Sequence, residues 1–308
     1  MHPLRSREHR REALLAVDGH GLHLVQRGEV HDTFDLGDHL LMVATDRVGI
    51  NRVMLQDGIP DKGSIANGLS RLWFNRVKHI CPNHQADTME WPTALKHDRE
   101  RLEPRSMLVR KARVIPIECT VRGYMTHKAL EEFLEHGTVG GKPVSGALRS
   151  GRLPEPRLVP SRRDAGKRVP ITVEQMANEL GQDLTERLER TAIEVYDFAE
   201  HLARTRDVVI AQTTLRFGWI DDELRLIGDC LTPDSSSYWP AEARRDGTGP
   251  RRMGKGFLLD ELTALGWDGS APGPRIPGDV VARVRDHYLE AYARITGDRW
   301  HFTDAAYA

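Results

Sequence analysis

Apolar positions recur with two periods along this chain. Between His23 and about Asp46 the short apolar runs LHLV, VHDTFDL and HLLMVAT are separated at Gly28 and at Gly37-Asp38. Short runs divided by turn residues predict an antiparallel β-meander. Ile65, Leu69, Leu72, Trp73, Val77 and Ile80 then fall at helical spacing, which predicts an amphipathic helix from Ser64 to about Ile80 with Ser64 near its cap. The stretch MLVRKARVIPIECTV returns to strand, interrupted by Pro116, and marks where a β-rich unit over 1–113 hands over to an α/β unit over 114–308.

Between Gly140 and Pro170 the chain is rich in Gly, Pro and Arg without clear periodicity, which predicts a long loop, and loops of that length are usually functional or disordered. Thr172 and Gln175 form a capping box before a long helix carrying Leu184, Leu188, Ala192, Val195, Ala199 and Leu202. VVIAQTTLRFGWI and LRLIGDCL read as a hairpin joined at Asp221-Asp222. After a Pro/Gly-rich connection from Ser270 to Gly278, Val281, Val284, Tyr288, Ala291 and Ile295 predict a last helix.

A length of 308 residues suits one large domain or two lobes meeting at a cleft. Lys plus Arg number 44 against 45 for Asp plus Glu, so no overall field gathers nucleic acid or an anionic membrane, and the expected partner is a small molecule. Cys81, Cys119 and Cys230 are scattered without a CxxC pair, which suits a reducing cytoplasm. The start, MHPLRSREHRR, lacks the apolar stretch of a signal peptide, and no segment approaches a membrane span. Together these predict a soluble cytoplasmic enzyme.

Four segments resemble the SAICAR synthetase family in order and spacing: GEVHDTF with VATDR and IPDKG; VRKARVIPIECTVRGY; VVIAQTTLRFG; and LTPDSSSYWPAE. The resemblance implies an α+β, two-lobed SAICAR synthetase-like fold, with a small kinase-like antiparallel β-lobe, a larger ATP-grasp-like lobe, and a nucleotide cleft between them. It also implies a reaction in which Mg-ATP activates the carboxylate of a phosphoribosyl-carboxyaminoimidazole and the amine of aspartate captures it as an amide. That chemistry needs cations on a triphosphate, carboxylates for magnesium and a clamp on the ribose phosphate.

Several family-like positions persist, and the resemblance makes Asp46, Arg47, Lys62, Arg110, Lys111, Glu118, Arg122, Asp234, Ser235 and Ser236 candidate substrate or nucleotide contacts, with Arg163 and Arg216 added as basic replacements. Asp229, Lys255 and His31 are the catalytic candidates. Other positions depart. The family's glycine-lysine-valine-arginine reads Gly28-Glu29-Val30-His31, and its serine-alanine-aromatic-aspartate reads Gly49-Ile50-Asn51-Arg52. Arg162, Arg163, Lys167 and Arg168 make an acidic substrate loop basic. On the second-lobe hairpin Gln212 replaces an aspartate and Arg216 a metal-binding glutamate, with Cys230 following Asp229.

Arg216 is expected to pair with Asp229 and to take over the positive charge of the metal, so magnesium is doubtful while ATP is one candidate ligand. Such clustered replacement argues for a rebuilt site acting on a phosphoribosylated imidazole or purine-like nucleotide in a nucleoside-antibiotic pathway, 1,3-diazepine ring formation being the specific version. A genuine SAICAR synthetase and a non-catalytic nucleotide-binding paralog are the alternatives. The amphipathic helices permit a homodimer.

Overall fold

A computed structural model describes residues 12–50, 53–87, 90–144, 151–164, 167–242 and 252–300, with the backbone alone for Lys128 and Lys167. The expectations for the N-terminal eleven residues, for Asn51 and Arg52 and for the Lys167 side chain lie outside the described residues.

The predicted meander forms as β1 (Leu24–Arg27), β2 (His31–Leu36) and β3 (His39–Ala44), and a short hairpin of β4 (Gly49–Ile50) and β5 (Val53–Met54) follows. Helix α1 (Lys62–Val77) buries Ile65, Leu69, Trp73, Phe74 and Val77 on one face. It begins two residues earlier than the periodicity suggests. Its N-cap is Asp61 in a left-handed conformation, and the Ser64 hydroxyl donates to the Asp61 carbonyl instead of capping. A Cβ on Gly63 would stand 2.4 Å from the Ala44 carbonyl oxygen, so only glycine lets α1 start this close to the end of β3. Beyond the short α2 (Arg99–Leu102), β6 (Ser106–Arg110) joins β3 and completes a four-stranded antiparallel sheet in the order β1-β2-β3-β6.

The second sheet is built on β7 (Arg113–Tyr124). Pro116 does not interrupt it. It lies opposite the irregular register between Arg216 and Gly218 of the neighbouring strand, where a residue without an N–H is tolerated. After α3 (His127–His136) and a small hairpin of β8 (Thr138–Val139) and β9 (Lys142–Pro143), the segment expected as a loop extends into β10 (Arg152–Asp164) and β11 (Lys167–Pro170). Pairing with β7 supplies the backbone hydrogen bonds that local sequence does not announce, and the prolines at 154 and 156 sit where the register breaks between Arg152 and Arg157.

The Thr172–Gln175 capping box opens α4 (Val173–Leu180), and α5 (Gln182–Arg204) is the long helix expected. Strands β12 (Val208–Ile220) and β13 (Glu223–Ile227) form the predicted hairpin, with Asp221 and Asp222 both at positive φ as the tight turn requires. Strand β14 (Ser236–Pro240) pairs β12, giving a second sheet ordered β11-β10-β7-β12-β13 with β14 off that path. Helices α6 (Lys255–Ala264) and α7 (Gly278–Thr296) complete the chain, and α7 buries Val280 rather than Val281 beside Val284, Tyr288, Ala291 and Ile295.

One apolar core runs from α1 through β7 and β12 to α5 and α7. Ile117, Cys119, Val121, Leu215 and Phe217 join Leu188, Ala192, Val195 and Ala199 of α5 in it. Alternation then turns Glu118, Thr120, Gln212, Thr214 and Arg216 to the opposite face, which keeps that face polar in the middle of the molecule. Among the described residues no helix is long and apolar enough to cross a membrane.

Candidate active site

The polar face of β7 and β12 opens into a cavity of about 550 Å³, which the β1–β2 turn and the start of α6 also border. At one end Glu118 of β7, with its side chain 7 % exposed, meets three guanidiniums. Arg163 Nε lies 3.3 Å from its Oε1, Arg168 bonds its Oε2, and Arg216 Nε stands 4.0 Å from Oε1. Register explains the last contact, because Arg216 of β12 sits directly opposite Glu118. Burial first, and the like charge of Arg163 next, push the Arg216 guanidinium below its ordinary pKa.

The expected Arg216–Asp229 pair does not form. Asp229 lies beyond the end of β13 and accepts from the hydroxyls of Thr232 and Ser70. Burial, reinforced by the charge of Asp234, lifts its carboxyl to a pKa of about 7. Asp234 is ionised: its Oδ2 lies 2.7 Å from the Lys62 ammonium, and Tyr288 of α7 donates to its Oδ1 at 2.8 Å. Nearby His31 is neutral, its pKa pulled down to about 4 by burial and then by the charge of Lys62. At the mouth Lys255, the first residue of α6, lies 3.6 Å from Glu29 in the β1–β2 turn, so that carboxylate shields a lysine.

His31, Asp229 and Lys255 all border the cavity, as do Glu118, Arg163, Arg216, Asp234, Ser235 and Ser236. Lys62 supports it from below through Asp234. The remaining candidates do not line it. Asp46 is buried and accepts from the Leu14 and Gly63 amides and from Arg105, which fixes the start of α1. Arg47 pairs with Asp32, Arg110 with Asp221, Lys111 with Asp35, and Arg122 reaches Glu132 at 3.5 Å. Sequence reasoning noted Gln212 only as a replaced family position and passed over Thr214, both of which alternation along β12 could have placed beside Arg216, and it passed over Arg252 and the Tyr288 hydroxyl, which no local signal marks.

A family model described as SAICAR synthetase matches residues 24–274. This chain belongs to the SAICAR synthetase family. It is 36% identical over 289 residues to the phosphoribosylaminoimidazole-succinocarboxamide synthase of Geotalea uraniireducens (strain Rf4), covering 92% of this chain and 98% of that protein. The enzyme of the same name from Desulfosudis oleivorans (strain DSM 6200 / JCM 39069 / Hxd3) is 39% identical over 286 residues, 91% of this chain and 98% of that protein. The SAICAR synthase from Saccharomyces cerevisiae, solved as a complex with SAICAR, superimposes with a TM-score of 0.83 at 34% identity, covering 92% of this chain and 98% of that one.

The fold is therefore the SAICAR synthetase α+β fold, and the chain is an enzyme homologous to a C–N bond-forming ligase of purine biosynthesis. The relatives named here are SAICAR synthetases, and the expected tie to nucleoside-antibiotic pathways finds no support among them. SAICAR synthetases use ATP and Mg2+, so the case against magnesium rests on the side chains alone. Among the described residues no group of three or more His, Cys, Asp or Glu converges as metal ligands do. The cavity carboxylates Glu118, Asp234 and Glu29 already face cations, and burial raises the Asp229 carboxyl to a pKa of about 7.

Proposed function

We propose that this chain is a SAICAR synthetase-type ligase of the cytoplasm, whose cavity holds a phosphoribosylated imidazole or purine-like nucleotide and forms a C–N bond on it. The first form of that reaction is the one its relatives are named for, joining a carboxyaminoimidazole ribonucleotide to aspartate with ATP. Correspondence along 98% of the length of those relatives carries this reading. In it Lys255 offers a cation to a phosphate, and Asp229, with a carboxyl near neutrality, takes the proton released when an amine attacks. His31, neutral and at the cavity wall, supplies an uncharged donor or acceptor. Three buried free thiols suit the reducing compartment. The reading takes the lobes to divide into 1–113 and 114–308, and a homodimer is a matter for light scattering.

A second reading is favoured by one observation: Arg216 faces Glu118 where the family resemblance places a metal-binding carboxylate. Here the cavity handles another phosphoribosyl nucleotide without Mg-ATP. The 1,3-diazepine version rests on the sequence departures alone, and a non-catalytic paralog is the limiting case. The deciding experiment supplies purified protein with Mg-ATP, carboxyaminoimidazole ribonucleotide and aspartate and follows ADP. Aspartate-dependent ADP release supports the first reading. No release, together with stabilisation by a phosphoribosyl nucleotide in a thermal melt, overturns it in favour of the second.

A further inference from the structure

Glu118 lies opposite Arg216 on one side and opposite Ser161 on the other, and the cross-strand pair Arg163 and Arg168 reaches the same carboxylate from the β10–β11 end. A carboxylate has two oxygens and a single charge, and one guanidinium fork is enough to occupy it. Three meet it here, and their side chains stay 41 %, 47 % and 34 % exposed for Arg163, Arg168 and Arg216. The donors and charge that Arg163 and Arg216 have beyond this one carboxylate border the cavity.

Four residues before Arg216 on the same face of β12, the Gln212 carboxamide oxygen is buried and has no hydrogen-bond partner. Strand geometry separates these two positions by roughly 13 Å. The cavity thus offers anion donors at one end and an unpaired amide at the other, and an unpaired buried amide favours any ligand that supplies the missing bond. A tetrahedral oxyanion with three acceptor oxygens and close to two negative charges matches several guanidiniums better than a carboxylate does. A divalent cation at the same place would add to a positive surplus.

We propose that Arg163, Arg168 and Arg216 form a metal-independent site for the phosphoryl group of a nucleotide, whose base extends toward Gln212. This rests on the reading that the cavity takes a nucleotide. The phosphoryl group could belong to a nucleoside monophosphate or be the terminal phosphate of ATP, and the two are separated by titrating each.

The test is calorimetric titration of the full chain with AMP, ATP, adenosine and inorganic phosphate, in EDTA and again with Mg2+. AMP or ATP should bind in EDTA without gain from Mg2+, and the tighter of the two identifies the source. Adenosine should bind at least about tenfold more weakly than AMP, and Arg163→Ala and Arg216→Ala should each weaken nucleotide binding about 10- to 100-fold, the range for charge-assisted hydrogen bonds. Gln212→Ala should weaken AMP and adenosine alike. Lys142→Ala, which removes an exposed ammonium paired with Glu189 outside the cavity, should change nothing. Nucleotide binding that requires Mg2+, or that ignores both arginine substitutions, overturns the site while leaving the nucleotide reading intact. Absence of any nucleotide binding in either buffer overturns both. Should Arg216→Ala fail to fold, the more exposed Arg163→Ala decides.

Discussion

Lys62 and Asp234, 172 positions apart, meet at 2.7 Å with side chains 0 % and 6 % exposed, which ties the start of α1 to the loop ahead of β14. Removing one partner strands a buried charge, whereas removing both leaves a polar gap that packing can fill. Lys62→Met should therefore cost about 3–5 kcal/mol of unfolding free energy, and Lys62→Met with Asp234→Leu should recover much of that loss. Urea denaturation of the two singles and the double measures the coupling. Additive losses would mean that the pair contributes no mutual stabilisation.

Asp229 gives a pH signature. Its folded pKa of about 7 lies above the ordinary 3.8, so between those values the folded chain holds a proton that the unfolded chain releases. The stability it contributes is complete below about pH 4 and is lost as the pH rises to about 7. His31 runs the other way, since its folded pKa of about 4 lies below 6.5 and its contribution grows over pH 4 to 6.5. The wild-type profile is blunted by this opposition. Asp229→Asn stays neutral throughout, so it should gain stability relative to wild type from pH 4 to 7. A flat difference curve would show that the carboxyl titrates normally.

Glu29 and Lys255 are 48 % and 30 % exposed, so their pair adds no more than about 1 kcal/mol to stability. The effect of Glu29→Gln should fall on binding. Removing the carboxylate frees the lysine and lifts a local repulsion, and affinity for ATP at low salt should rise several-fold with little change in melting temperature. Titration of wild type and variant at two ionic strengths checks this, and an unchanged affinity would place the triphosphate elsewhere.

Gly123 explains part of the VRGY motif. A Cβ there would lie 2.0 Å from the Tyr196 hydroxyl oxygen, and that hydroxyl donates to the Ile210 carbonyl of β12. Gly123→Ala should destabilise by about 1–3 kcal/mol through overpacking. Tyr196→Phe in the same background should return only part of it, because ring carbons also stand within 2.8 Å. Thermal melts of the wild type, Gly123→Ala and the double variant test the order.

The periodic elements were legible because each carries its own signal. Trp73 and Val77 mark one face of α1, and Asp221-Asp222 marks the β12–β13 turn. The strands β10 and β11 were read as loop because their hydrogen bonds go to distant β7, and α6 went unread because Phe257, Leu258, Leu259 and Leu262 leave no single apolar face. Site residues followed the same divide. Types and motifs singled out Glu118, Asp229 and Lys255, but the partner of Arg216 was misassigned, since a cross-strand neighbour is set by register rather than by nearness in sequence. Asp46 and Arg47 stand in a family motif, yet Asp46 holds the start of α1 and Arg47 pairs with Asp32 of β2.

The hydroxyl of Tyr288 on the charge of Asp234 also sets a schedule. Chains leave the ribosome from the N-terminus, and the bonds around Asp234 draw on residues 62, 234 and 288. During synthesis Lys62 waits for its counter-charge until residue 234 emerges, and the floor of the cavity closes only once α7 has been made. A nascent chain that stalls before α7 carries both sheets but an unfinished ligand site, and it should be an aggregation-prone client of chaperones rather than a slower enzyme.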